Sequence, residues 1–299
     1  MPLTIALPAL MGHLRDPQAY ARALDYFAAR GDRVLLDPNA LNKHGYFSAP
    51  DAVRLDTFHA MLRERPDVVM PLRAGYGITR LLPDFDWALV KSCGAKFVGF
   101  SDFTGFNLAA LCHGIVTYSG PLSVVEFGSK EIDPFMEHEC WNTLASGRCE
   151  IRVQNQSETP PMKAQEQTGM LWGTNLSMIA HLVGTPYFPN VSNGILLVED
   201  IGEEPYAIER ALMQLWHAGI LQQQQAIIFG VVNGYELDEP AVKAYSIDDV
   251  IADLRRRVQC PVVTNFPFGH VSQKATLPIG GQARLAIDES GYSLSVSTT

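Results

Sequence analysis

The chain has 299 residues, 47% of them hydrophobic and 18% charged, which describes an ordinary globular protein of one large or two smaller domains. A formal net charge of -9 argues against nucleic acid, which requires a basic face, and five scattered cysteines without a C-x-x-C pair argue against a disulfide framework. No apolar run approaches the ~20 residues needed to cross a bilayer, and the first residues lack a basic n-region, so the expectation is a cytoplasmic protein with no membrane partner.

Strand and helix alternate through the first half. Residues 3–7 read as a buried strand. Asp16-Pro17 opens a helix, with Asp as N-cap and Pro at the first helical position, and Gly31 ends it. Residues 34–36 form the next strand. A second helix runs from Ala49-Pro50-Asp51 to about residue 65. Residues 68–70 make a third strand, 86–93 a helix stopped by Gly94, and 97–100 a fourth strand. Strands separated by helices imply βαβ units and a parallel sheet.

The fourth strand leads into Gly99-Phe100-Ser101-Asp102-Phe103-Thr104, and a helix is predicted over 105–113. Strand, sharp turn and helix together lift a serine hydroxyl out of a sheet edge. The helix N-terminus behind it offers free N–H groups and a positive dipole end, which favour an oxyanion. Phe103 stands where G-x-S-x-G would have its second glycine, so the context carries the signal. A serine that only caps its helix would look the same locally. The loop Arg73-Ala74-Gly75-Tyr76-Gly77, after the third strand, leaves from the same carboxyl edge, where open α/β sheets bind ligands. Arg73 and Arg80 suit a substrate carboxylate, or a surface salt bridge.

A polar stretch at 154–167, with Pro160-Pro161, reads as a linker. Beyond it follow a helix over 175–182 and a strand over 195–198 that ends in Glu199-Asp200. An amphipathic helix over 206–217, a strand over 226–232 and a helix over 247–258 come next, and several short strands close the chain. His270 lies in the loop Phe266-Pro267-Phe268-Gly269-His270, a place that suits a functional imidazole or a simple turn histidine. Glu137-His138-Glu139-Cys140 has the composition of a metal site, but adjacent helical residues point apart, so no metal site is expected.

Taken in order, several segments resemble the muramoyltetrapeptide carboxypeptidases, the LD-carboxypeptidase family of serine peptidases. They are Arg73-Ala74-Gly75-Tyr76-Gly77, Gly99-Phe100-Ser101-Asp102-Phe103-Thr104, Thr117-Tyr118-Ser119-Gly120-Pro121, Leu171-Trp172-Gly173-Thr174-Asn175-Leu176, Asn193 through Ile201, Leu215 through Leu221, and Phe268-Gly269-His270. The resemblance implies a triad of Ser101 as nucleophile, His270 as base and Glu199 as acid. It implies an oxyanion hole from the backbone of Ala74 or Gly75 and of Asp102. Arg73, Tyr76, Arg80 and Asn175 are the candidate substrate-binding side chains. Ala74 and Thr174 stand where the family has glycine.

The implied fold is α/β: a flavodoxin-like parallel-sheet N-terminal domain over 1–153 with the nucleophile, the linker 154–167, and a smaller mixed α/β domain of the swivelling β/β/α type over 168–299 with Glu199 and His270. The implied reaction releases terminal D-alanine from cytoplasmic murein tetrapeptides, with no cofactor. Homodimers are expected from the family. Two alternatives stand beside it: a microcin self-immunity hydrolase that cleaves acyl-sulfamoyl nucleotides, and a non-catalytic murein-peptide binding protein.

Overall fold

A computed structural model describes residues 2–155, 163–235 and 245–298. Strands β1 (Thr4–Leu7), β2 (Arg33–Leu36), β3 (Val68–Val69) and β4 (Lys96–Phe97) form a parallel sheet in the order β2-β1-β3-β4. This is the flavodoxin-like order, in which the loops at the carboxyl edge converge. Helices α1 (Pro17–Ala29), α2 (Asp51–Arg63) and α3 (Trp87–Ser92) make the crossovers. Asp16 caps α1 by accepting from the Gln18 and Ala19 N–H groups, and Asp86 caps α3 by accepting from Leu89. Successive residues of β1 serve opposite layers: Ile5 and Leu7 pack with Phe27 and Phe127, while Ala6 packs with Phe58, Phe97 and Phe106. Helix α4 (Thr104–Cys112) follows β4, and strand β5 (Thr117–Ser119) lies beside β4 through the Val98–Tyr118 bridge.

After α5 (Pro134–Ser146) the chain enters a second sheet. Its strands are β6 (Arg148–Gln154), β7 (Gln165–Asn175), β8 (Ile195–Ile201), β9 (Ala226–Asn233), β10 (Val262–Val263), β12 (Gln282–Asp288) and β13 (Gly291–Ser297), with the short strand β11 (Leu277–Ile279) set apart. The order is β10-β9-β8-β7-β12-β13-β6. The β10-to-β7 half is parallel and the β7-to-β6 half antiparallel. Helices α6 (Leu176–Leu182), α7 (Pro205–His217) and α8 (Ile247–Arg257) belong to the parallel half.

The stretch read as a linker divides differently. Of 154–167, residues 156–162 lie outside the described residues, but β6 runs to Gln154 and β7 begins at Gln165. Strand β6 pairs with β13 from Arg148 to Gln154, so a division at 153 would part β6 from its own sheet. The polar ends of two strands fall inside that stretch: exposed Gln154 ends β6, and exposed Gln165 and Glu166 begin β7.

Two features join the sheets. Strand β11 pairs antiparallel with β5, with Leu277 opposite Ser119, in a two-stranded sheet that meets β4 through the Val98–Tyr118 bridge. One apolar core also runs through both parts, from Phe58, Phe97 and Phe106 to Trp172, Ile195 and Phe229. Burial on that scale favours a fixed docking.

Candidate active site

Ser101 begins a 3-10 turn that leads straight into α4. Its φ is +61°, after an extended Phe100 at φ -140°. A non-glycine residue in the left-handed region is strained, and here the turn lifts the hydroxyl off the carboxyl edge of the first sheet.

Glu199 sits on β8 at an irregularity in the pairing with β9. Val198 is opposite Phe229 but Asp200 is opposite Val232, so Gly230 and Val231 together face Glu199. Bulges of this kind re-aim side chains beside active sites. Gly230 is required there, because a Cβ would stand 2.5 Å from the Phe268 carbonyl. The far side of β9 holds the histidine loop: Phe266 N–H donates to the Phe229 carbonyl and Val231 N–H to the Phe268 carbonyl. The Asn233 amide then donates to the His270 carbonyl at 3.3 Å.

These loops bring three side chains together. His270 Nε2 lies 3.0 Å from Ser101 Oγ, and His270 Nδ1 lies 2.9 Å from Glu199 Oε2. The Glu199 side chain is fully buried and that of His270 is 17% exposed. A carboxylate facing Nδ1 holds the proton there and leaves Nε2 free to accept the serine proton. The Phe100 ring packs on the imidazole with centroids 4.8 Å apart. Lys274 Nζ lies 3.6 Å from the centroid of that same phenyl ring and pairs with buried Glu126 at 2.5 Å. A cavity of about 270 Å³ opens beside His270, lined also by Phe100, Glu126, Ser272 and Lys274.

The remaining sequence candidates take distinct places. Among the described residues, neither the Ala74 nor the Gly75 N–H has a hydrogen-bond acceptor. Gly75 has φ +96°, and a Cβ there would stand 2.9 Å from the Tyr46 hydroxyl and 3.1 Å from the Arg73 guanidinium. Burial pushes the Asp102 carboxyl above its ordinary pKa; its own N–H, His270 and Arg73 oppose that shift. Arg73 donates to the His13 carbonyl at 3.1 Å and has no carboxylate partner among the described residues. Burial lowers the Arg73 pKa first, with Arg15 adding to the effect. Tyr76 is half exposed and meets Tyr46 and Phe47 edge-on and tilted, at 6.2 and 6.1 Å.

Two candidates are already engaged. Arg80 reaches Asp51 with two nitrogens, at 2.8 and 2.7 Å, and so forms a surface ion pair. Asn175 is buried and donates to Glu199 Oε1 and Asp200 Oδ1, both at 3.2 Å, while its Oδ1 caps α6 at Met178. Its NH₂ group therefore holds the carboxylate that faces His270. Sequence reasoning gave no role to Tyr46 and Asn233, which lie in no quoted motif, or to Thr104, which ends the Gly99–Thr104 segment.

The LD-carboxypeptidase N-terminal domain matches residues 5–120 and the LD-carboxypeptidase C-terminal domain matches residues 168–285. A putative carboxypeptidase of Synechocystis sp. is 32% identical over 290 residues, covering 95% of this chain and 90% of that protein. The crystal structure of muramoyltetrapeptide carboxypeptidase from Oxalobacter formigenes superposes with a TM-score of 0.89 at 35% identity, covering 98% of this chain and 99% of that one. The microcin C7 self-immunity protein MccF shares the fold, with a TM-score of 0.87 at 19% identity over 99% and 96% of the two chains.

Proposed function

The chain belongs to the LD-carboxypeptidase family, and we propose that it is a serine-type L,D-carboxypeptidase that releases terminal D-alanine from murein tetrapeptides. The observation that carries this reading is the Ser101–His270–Glu199 relay at 3.0 and 2.9 Å. Ser101 Oγ attacks the carbonyl of the L-configured residue as His270 Nε2 takes its proton. The tetrahedral oxyanion lies against the unoccupied N–H of Ala74 or Gly75 and the N–H of Asp102 at the start of the turn. His270 returns the proton to the departing amine, D-alanine leaves, and water repeats the sequence on the acyl-enzyme. Glu199, hydrogen-bonded to Nδ1, stabilises the imidazolium.

Arg73 grips the carboxylate of the leaving D-alanine. Its support is elimination between two arginines: the Arg80 fork is spent on Asp51, and that of Arg73 has no acidic partner among the described residues. A free C-terminal carboxylate is thereby part of what is recognised, which makes the activity a carboxypeptidase rather than an endopeptidase. The reading includes a cytoplasmic place of action and a homodimeric assembly, as the family resemblance implies.

Mass spectrometry of a murein tetrapeptide incubated with the protein tests this directly. Loss of one D-alanine is expected. A pentapeptide ending in D-Ala-D-Ala and a tetrapeptide amidated at its C-terminus should stay nearly intact. Cleavage of an acyl-sulfamoyl adenosine with no D-alanine release would overturn the assignment in favour of an immunity hydrolase.

A further inference from the structure

The backbone holds an outlier that the reaction does not explain. Thr174, next to last on β7, has φ +116°. L residues rarely adopt this region, and a β-branched one does so only when its surroundings over-determine it. Glycine would take the same backbone without strain. What a threonine adds is its hydroxyl, and that hydroxyl is fully buried and bonded.

Thr174 Oγ1 lies 2.8 Å from Thr104 Oγ1, and the Ser119 hydroxyl donates to it at 3.2 Å. Thr104 is the first residue of α4, three positions after Ser101. Ser119 ends β5. The next N–H along β7, that of Asn175, also donates to Thr104 Oγ1, at 3.3 Å. Asn175 is opposite Glu199 in the β7–β8 register and donates to its Oε1. A closed circuit results. It runs from Ser101 through one turn of chain to Thr104, across to Thr174 and Asn175, on to Glu199, and back through His270 to Ser101.

We propose that Thr174 is a positioning residue: its hydroxyl clamps β7 to the turn behind the nucleophile, so that Asn175 and Glu199 are registered to Ser101 across the two sheets. The triad spans two parts of the chain that share no strand order, and the distance from imidazole to serine is set by how those parts dock. Apolar packing fixes docking to within a side-chain rearrangement. A hydroxyl pair at 2.8 Å fixes it more narrowly, because hydrogen bonds weaken steeply with distance and angle. The strained φ is tolerated because the hydroxyl and the Asn175 N–H both land on Thr104.

The inference rests on the serine-peptidase reading for its kinetics but not for its spectroscopy. Thr174→Val keeps the shape and removes the hydroxyl, Thr174→Gly removes both strain and hydroxyl, and Thr174→Ser keeps the hydroxyl. D-alanine release from tetrapeptide should lose about 10- to 100-fold in kcat for the valine and glycine variants, with KM nearly unmoved. The serine variant should restore most of kcat. The downfield proton resonance of His270 Nδ1, bonded to Glu199, is read without substrate. It should be sharp in the wild-type and serine proteins and broadened or shifted in the other two. If valine at this strained position prevents folding, the glycine variant, which fits the backbone, carries the test. Wild-type kcat and an unchanged imidazole resonance in Thr174→Gly would overturn the proposal. So would an equal loss in Thr174→Ser, or a wild-type spectrum without the resonance. A sharp resonance in a wild-type protein that leaves tetrapeptide uncut would sink the substrate assignment and leave this inference to the spectra.

Discussion

Glu199→Gln is the sharpest perturbation of the relay, because the amide fails in either orientation. The carboxylate accepts on both oxygens: Oε2 from His270 Nδ1 at 2.9 Å and Oε1 from the Asn175 amide at 3.2 Å. Glutamine has one acceptor and one donor. If its oxygen faces His270, its NH₂ meets the Asn175 NH₂, and two buried donors confront each other. If the amide flips, its NH₂ faces Nδ1 and drives the imidazole proton to Nε2, where it cannot accept from Ser101. The side chain is fully buried, so no water repairs either arrangement. Loss of the orienting carboxylate in a serine triad removes ~10⁴ in kcat, which is about 5.4 kcal/mol of barrier. D-alanine release coupled to D-amino-acid oxidase measures this, with circular dichroism to verify the fold. Glu199→Gln in a Ser101→Ala background should cost nothing further, since the relay acts as a unit. A folded single variant within tenfold of wild type would refute the reasoning.

Arg73→Ala should lower kcat/KM on the tetrapeptide by about 10- to 100-fold, the worth of a hydrogen bond to a charged group, and leave the residual rate on the C-terminally amidated peptide unchanged. Arg80→Ala should do little, since exposed ion pairs contribute about 0–1 kcal/mol; steady-state kinetics of the two variants side by side checks the assignment. Burial raises the Asp102 pKa above 3.8 in the fold, so its favourable contribution is full below that pH and is lost as pH rises through the folded value. Asp102→Asn should therefore raise Tm at pH 7 and change it little at pH 3; an equal gain at both would exclude the buried charge as the cause. Ellman's reagent should label exposed Cys112 first, and reach Cys140 and Cys149 only on unfolding. Both are buried, and desolvation pushes the Cys149 thiol up to about 12.

What could be read in advance was what is local. Asp16-Pro17 announces its helix because a cap acts within three residues. The turn at Ser101 is likewise local, since β4, the turn and α4 are consecutive. The positive φ of Ser101 and the bulge opposite Glu199 carry no sequence mark, because both are set by neighbours far along the chain. Arg73 and Arg80 were indistinguishable for the same reason: Asp51, which engages Arg80, lies 29 residues away on α2. The contact of Asn175 with Glu199 carries no sequence mark either, since the two are 24 residues apart. His270, 169 residues from Ser101, could be paired with it only by resemblance. Strand β6 escaped because polar alternation is ambiguous when the partner strand is not known, and the start of β7 because its polar first residues lie in the stretch read as a linker.

The late strand β11 has a consequence for synthesis. During translation the Ser101 turn and β5 leave the ribosome long before residues 270–279 exist. At ~5–20 residues per second, the interval from serine to histidine is roughly 8–34 s. Throughout that time β5 presents an open edge of unpaired N–H and C=O groups, which invites pairing with other nascent chains. The strand that closes this edge belongs to the same segment as His270. Under the proposed mechanism, a polypeptide that can be captured by its neighbours is therefore one that cannot yet hydrolyse, and the arrival of residues 270–279 ends both conditions together.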